Sequence, residues 1–194
     1  IKDFTPNELA CHIGVLPQIH SAPPDFQVRE LVGYGRVPHQ KWYARHSEED
    51  EKIIDWAMHA TGVWPLREKS IHECSGGESQ RVWIATVLTQ QPEILFLDEP
   101  TTYLDISHQM EMMRLIKRLN RENGIGVVVV LHDLSHALEV SDWIVVIKDG
   151  EKYDEGKPCD VITTKMMREV YDVECDIVRL PGREKPIIAY REIC

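Results

Sequence analysis

Two apolar runs without alternation stand out along the chain, Ile94-Leu95-Phe96-Leu97 and Val127 to Leu131. Neither has the in-and-out pattern of a half-exposed strand, so both predict strands of a parallel sheet covered on both faces. Each ends in polar chemistry: the first runs into Asp98-Glu99-Pro100, the second into His132-Asp133. A third, shorter strand is expected around His12 to Leu16, after a polar start, and it ends in Pro17-Gln18. Open α/β sheets bind ligands at the carboxyl ends of their strands, so these ends mark a candidate site.

Between the strands the pattern takes a helical period. Ser75 and Glu78 have the spacing of a capping box, and Gly76-Gly77 lets backbone N–H groups come close to a ligand. A helix start with free N–H groups favours phosphate. Ser47 can cap a helix whose first turn is Glu48-Glu49-Asp50-Glu51; Ile53, Ile54, Ala57 and Met58 form its buried stripe and Gly62 stops it. Val28-Arg29-Glu30-Leu31-Val32 has the spacing of an amphipathic turn. Asp105 can cap a further helix, with Ile106, Met110, Met113 and Ile116 at helical spacing and Asn123-Gly124 at its end. Its methionines read as core filling. Trp143 to Ile147 and Glu151 to Asp154, joined by Asp149-Gly150, predict a β-hairpin. Cys159 to Tyr171 predicts a helix, and Ile177 to Leu180 with Pro186 to Tyr190 a closing hairpin. Gly33-Tyr34-Gly35 lacks the rest of a dinucleotide fingerprint and the strand before it, so that reading is set aside.

A length of 194 residues suits one domain, or one core plus a lobe. With 43% hydrophobic and 28% charged residues the chain is globular in composition. A formal net charge of −10 argues against a nucleic-acid backbone as partner. Cys11, Cys74, Cys159, Cys175 and Cys194 are odd in number and scattered, which predicts free thiols in a reducing compartment. The nine histidines show no metal-ligand pattern, and His108 and His136 match no functional position. No apolar run is long enough to span a bilayer and no signal peptide is seen, so a soluble cytosolic protein is expected.

The stretch Cys74 to Asp105 resembles the heart of an ATP-binding-cassette (ABC) ATPase. Cys74-Ser75-Gly76-Gly77-Glu78 stands where that family has its signature motif, with Cys and Glu in place of the commonest Leu and Gln. Ile94 to Glu99 is similar to the Walker B strand with its following glutamate, and Thr101-Thr102-Tyr103-Leu104-Asp105 to the D-loop. Gln18 falls at the Q-loop and His132 at the switch histidine. Val28 to His39 is similar to importers of ferric siderophores, haem and vitamin B12. The resemblance implies an α/β P-loop NTPase fold, a parallel sheet core plus a helical subdomain. Residues 1–19 and 91–157 would form part of the core, 20–90 the helical subdomain, and 158–194 a C-terminal helix and hairpin.

The same resemblance implies the chemistry. Two cassettes would face head to tail around two ATP molecules. Asp98 would hold Mg²⁺ through water, Gln18 would contact Mg²⁺ and the attacking water, and Glu99 would act as general base. His132 would hold the γ-phosphate, while Ser75, Gly76 and Gly77 would reach the nucleotide of the opposite subunit and Asp105 the dimer seam. Implied partners are a membrane permease, through the helical subdomain, a second ATPase subunit and, indirectly, a periplasmic or extracellular binding protein, with no nucleic acid. The location implied is cytoplasmic, peripheral on the inner face of the membrane. Two competitors are a soluble ABC ATPase of DNA repair, chromosome maintenance or translation, and a degenerate cassette acting as a scaffold. No long coiled coil lies between Gln18 and Ser75, which disfavours the repair and chromosome types, and the acidic charge disfavours these and the translation type; Glu99, His132 and Gln18 disfavour the scaffold.

The sequence holds no G-x-x-x-x-G-K-[ST] phosphate loop: Gly156-Lys157 is followed by Pro158 where Ser or Thr is required. A chain without its N-terminal segment is therefore expected, lacking the strand beside Walker B and the helix after it. The 194-residue polypeptide, taken alone, should neither bind ATP tightly nor turn it over. Isothermal calorimetry tests this; stoichiometric binding at micromolar ATP is the result that refutes it.

Overall fold

In the computed structural model, residues 4–23, 25–40, 46–183 and 185–193 are described. They fall into two compact units, Ile1–Val130 and Leu131–Cys194. The first unit opens with a helix where the sequence predicts only a polar start. Thr5 and Glu8 cap each other's backbone around Pro6, and helix α1 (Pro6–His12) follows. Strand β1 (Ile13–Leu16) begins at the next residue.

Strands β1, β2 (Ile94–Asp98) and β3 (Gly126–Val130) form a parallel sheet in the order β1-β2-β3. Their register sets Leu16 beside Leu97 and Asp98 beside Val130. Two expectations change here. An absent strand was expected beside the strand carrying Asp98, yet β2 is flanked on both sides, so further pairing is open only at the outer edges of β1 and β3. The sheet was also expected to be covered on both faces. Leu16, Leu95 and Leu97 are buried, but Val15 is 58% exposed, and Ile94, Phe96, Val128 and Val130 on the same face are exposed as well.

The covered side is organised by α4 (Gly76–Leu88), which packs on β1, on α2 (Val28–Gly33) and on α3 (Glu48–Thr61). Val82, Ile84, Ala85 and Leu88 have no exposed surface, the mark of a helix buried on most of its sides. After α2 the chain tightens into a 3₁₀ turn, Tyr34–His39. A Cβ on Gly35 would stand 1.8 Å from the Thr86 carbonyl oxygen of α4, so this glycine serves backbone approach between the two segments.

Arg36, next to it, is buried. Its Nε donates to Asp50 Oδ1 at 2.7 Å, and its Nη1 to the Thr89 carbonyl at 2.6 Å and to Gln91 Oε1 at 3.1 Å. Asp50 in turn accepts the Ser47 N–H at 2.9 Å in the capping box of α3. Burial works to raise the Asp50 carboxyl, but the bonds from Ser47, Arg36 and Gln40 hold it well below the usual carboxylate range. Ile54, Ala57 and Met58 are buried as expected, Ile53 only partly.

Helix α5 (Ile106–Asn123) is capped by Asp105 and closed by Gly124 in the left-handed region. Its buried stripe starts later than expected. Ile106 is 77% exposed and Met110 is exposed, whereas Met112, Met113, Leu115, Ile116 and Leu119 are buried. The first turns extend ahead of the buried stripe, and α5 packs on β3.

In the second unit, α6 (Leu134–Val140) precedes a hairpin of β4 (Ile144–Lys148) and β5 (Glu151–Gly156). Asp149 and Gly150 both have positive φ, 51° and 80°, as a two-residue hairpin turn requires. The single helix expected from Cys159 to Tyr171 is two, α7 (Pro158–Val161) and α8 (Thr164–Tyr171). Ile162 and Thr163 take extended backbone between them, and Thr163 caps α8 by accepting the Met166 N–H. Strands β6 (Val173–Val178) and β7 (Ile187–Ile193) make the closing hairpin, with β6 starting earlier than expected. Leu138, Val146, Ile162, Met166, Met167 and Cys175 form this unit's core. Cys11, Cys74, Cys159 and Cys175 are free thiols, and Cys194 lies outside the described residues.

The open apolar face of the first unit has a consequence in solution. The 194-residue polypeptide is expected to self-associate, with an average mass by static light scattering that climbs above the monomer as concentration rises. Phe96→Ser with Val128→Thr should lower it. A concentration-independent monomer with one cooperative melt would count against this.

Candidate functional site

Strand β2 delivers Asp98, exposed, to the carboxyl edge of the sheet. The main chain then turns sharply, because Glu99 has φ 48°, in the left-handed region. For a residue with a Cβ this costs roughly 1–2 kcal/mol. The Glu99 N–H is held by the Val130 carbonyl at 3.2 Å, and the Thr102 N–H closes the loop on the Glu99 carbonyl at 3.2 Å.

The Glu99 carboxylate meets Gln18 here. Gln18 stands two residues past β1, and its Nε2 donates to Glu99 Oε2 at 2.8 Å. Thr102 Oγ1 donates to the same oxygen at 2.9 Å. Two donors on one carboxylate oxygen fix the orientation of the group. A carboxylate so fixed, beside a second acid at a sheet edge, can orient a water molecule and take its proton.

A second cluster forms where α4 and α5 begin. Ser75 caps α4 as its sequence pattern predicts: its N–H donates to Glu78 Oε2 at 2.8 Å, and its Oγ accepts the Glu78 N–H at 3.3 Å. The bond from the Ser75 backbone lowers the Glu78 carboxyl. Gly77 is buried, and a Cβ there would lie 2.5 Å from His108 Cδ2; one on Gly76 would lie 3.8 Å from Leu104 Cδ2. The Ser-Gly-Gly turn thus rests against the segment that carries Asp105. Asp105 Oδ1 accepts from the His108 N–H at 2.9 Å, from Ser107 Oγ at 2.9 Å and lies 2.8 Å from His108 Nδ1. The His108 backbone bond, then those from Ser107 and the imidazole, lower its carboxyl to about 2. Beside this turn the Cys74 thiol is pushed up by burial, and its Sγ approaches the Ser70 carbonyl at 3.8 Å. A structural thiol fits that setting better than a reactive one.

His132 belongs to the second unit, exposed, two residues after the end of β3. Asp133 accepts the Ser135 and His136 N–H groups at 2.7 and 3.1 Å and so caps α6. Gln18 and Glu99 are therefore brought into contact from 81 residues apart, with Asp98 adjoining. Ser75, Gly76 and Gly77 are gathered beside Asp105. The sequence reading did not single out Thr102 and set His108 aside. His108 had a signal: it is the third residue after an Asp cap, where a polar side chain reaches back to the cap.

The sequence profile described as "ABC transporter" matches residues 2–102. The iron(3+)-hydroxamate import ATP-binding protein FhuC of Bacillus subtilis (strain 168) is 42% identical over 187 residues, which is 96% of this chain and 70% of that protein. The ferric enterobactin transport ATP-binding protein FepC of Escherichia coli (strain K12) is 39% identical over 188 residues, 97% of this chain and 69% of that one. In fold the chain is similar to a metal-chelate type ABC transporter in an inward-facing conformation, with TM-score 0.86 and 20% identity over 93% of this chain and 73% of that one. It is also similar to cbiO1 of Clostridium perfringens, part of the transporter complex cbiONQ, with TM-score 0.69 and 32% identity over 84% and 64% of the two chains.

The geometry around Asp105 makes a direct expectation. Its carboxyl should titrate at about 2 in a carbon-13 NMR titration, and Ser107→Ala should raise that value. Because the folded value is depressed, the cap supports α5 fully above the ordinary carboxylate pKa of about 4 and is lost as pH falls through 2. An Asp105 that titrates at the ordinary value would refute the bonding described.

Proposed function

This chain belongs to the ABC transporter family of ATP-binding proteins, and we propose that it is the ATP-hydrolysing subunit of an importer for an iron(III) chelate, haem or cobalamin. The observation that carries the site assignment is the contact of Gln18 and Thr102 with one oxygen of Glu99, at the carboxyl edge of β1 and β2. Relatives named for iron(3+)-hydroxamate import and ferric enterobactin transport support the iron-chelate class.

Phosphoryl transfer to water is governed by positioning and charge, with little covalent work for the protein. Glu99 orients the attacking water and takes its proton. Gln18 and Thr102 keep that carboxylate turned toward the water, and His132 holds the γ-phosphate. Ser75, Gly76 and Gly77 present the N-terminus of α4 to the nucleotide of a second copy, and Asp105 lies at the seam of that homodimer.

The residues present fit Mg²⁺. Among the described residues no group of three His, Cys, Asp or Glu side chains could hold a metal. Mg²⁺ needs no such cage, because it binds through one or two protein oxygens with water and substrate phosphate. Asp98 would hold it through water, with the Gln18 amide oxygen beside it. When bound, it would neutralise charge on the phosphates.

No helix among the described residues is long and apolar enough to cross a membrane. On the proposed reading the subunit sits at the cytoplasmic face of the membrane. It docks on a permease through the helical segments between Gln18 and Ser75, and a periplasmic or extracellular binding protein acts through that permease. Among the described residues of that interval the longest helix is α3, of 14 residues, which supports a lobe over the long coiled coil of a chromosome-maintenance ATPase. In the assembled transporter, Glu99→Gln should lower ATP turnover by about 100-fold or more while ATP-driven pairing of the subunits persists. Turnover that survives Glu99→Gln would remove the proposed role.

A further inference from the structure

The Ser75-Gly76-Gly77 turn and the Asp105 cap lie on different helices, and one side chain joins them. His108 stands in the first turn of α5. Its own N–H and its Nδ1 both meet Asp105 Oδ1, at 2.9 and 2.8 Å. The carbon edge of the same ring lies on the backbone of α4, for a Cβ on Gly77 would come within 2.5 Å of Cδ2 and 2.9 Å of Cγ. The side chain is only 34% exposed, so the ring is enclosed on its inner edge and bonded at its outer one.

We propose that His108 is a positioning residue that ties Asp105 to the Ser-Gly-Gly turn, so that the two reach a second copy's nucleotide as one rigid element. This rests on the function proposed above. The physical case is the stiffness of the tie. An imidazole has two torsions, and the bond at Nδ1 fixes both. On its far side the ring meets α4 where Gly77 has no side chain to yield, so close-packed backbone takes up any shift directly. Leu104, whose Cδ2 lies 3.8 Å from where a Cβ on Gly76 would stand, gives no such directional link. A displacement of Asp105 at the subunit seam therefore moves the ring, and the ring moves the first turn of α4.

Two substitutions separate the halves of the tie. His108→Asn keeps a donor near the place of Nδ1 and removes the ring; His108→Phe keeps a ring and removes the donor. In the assembled transporter each should lower kcat about tenfold, the loss expected for one bond to a charged group. KM for ATP should stay within about twofold, since the closing step is touched and the nucleotide-loaded single subunit is not. A wild-type kcat in either variant, with or without a lowered melting temperature, overturns the proposal. Glu99→Gln measured alongside tells the two failures apart. Turnover surviving in Glu99→Gln sinks the site reading and the tie with it, whereas turnover lost there but intact in a His108 variant sinks the tie alone. Should both His108 variants unfold, Ser107→Ala loosens Asp105 without touching the ring. Backbone NMR of the chain should then show the Gly77 amide resonance shifting, and an unmoved Gly77 resonance overturns the tie.

Discussion

Helix α4 meets its neighbours at three points that leave no room for a side chain, one of them Val87 against Gly14 of β1. Near its C-terminal end the Thr86 carbonyl lies against Gly35, and near its N-terminal end Gly77 lies against His108. Between these points Val82, Ile84 and Ala85 have no exposed surface, and Trp83 is half-buried. A helix clamped this way cannot slide or rotate by small amounts, because packed interiors shift between discrete arrangements and do not stretch. The direction of the Ser75 cap, the seating of α2 and α3, and the covered face of the sheet all follow from where this one axis lies.

The buried polar groups serve the same end. Arg36 is taken out of water but bonded to a carboxylate, a backbone carbonyl and a side-chain amide at once. Breaking such a pair from one side strands the other charge, so its value lies more in fixing a unique arrangement than in net stability. Asp50 does double duty, capping α3 and holding Arg36, so the start of one helix is bound to the residues that follow α4. The site draws on the same economy: Asp105 is at once the cap of α5 and the residue assigned to the subunit seam.

Much of this was legible in the sequence wherever a local rule decides the outcome. The caps at Ser47, Ser75 and Asp105, the stop at Gly124 and the Asp149-Gly150 turn each depend on residues within a few positions of one another. The strands carrying Asp98 and preceding His132 were equally plain. Failures came in two kinds. Helix α1 carried its signal in Thr5-Pro6-Asn7-Glu8, and the break before Thr163 in a cap residue; both were local and were overlooked. The exposure of Ile106 and of the Val15–Phe96–Val128 face was not local, since it depends on what packs above each residue. The site divides likewise. Gln18 and Glu99 could be nominated by resemblance, but Thr102 reaches Glu99 only through the positive φ of the glutamate, and His108 reaches Gly77 only across two helices.

That positive φ carries a lesson for anyone redesigning this chain. Glycine would take the conformation at position 99 with no steric penalty, yet the residue there is a glutamate. A search for hardier variants, scoring only melting or expression, would set that relief against the lost bonds from Gln18 and Thr102 and would give the proposed role of the carboxylate no weight. Optimising this chain for robustness alone would thus be blind to the chemistry proposed for Glu99, one of five described non-glycine residues held at positive φ.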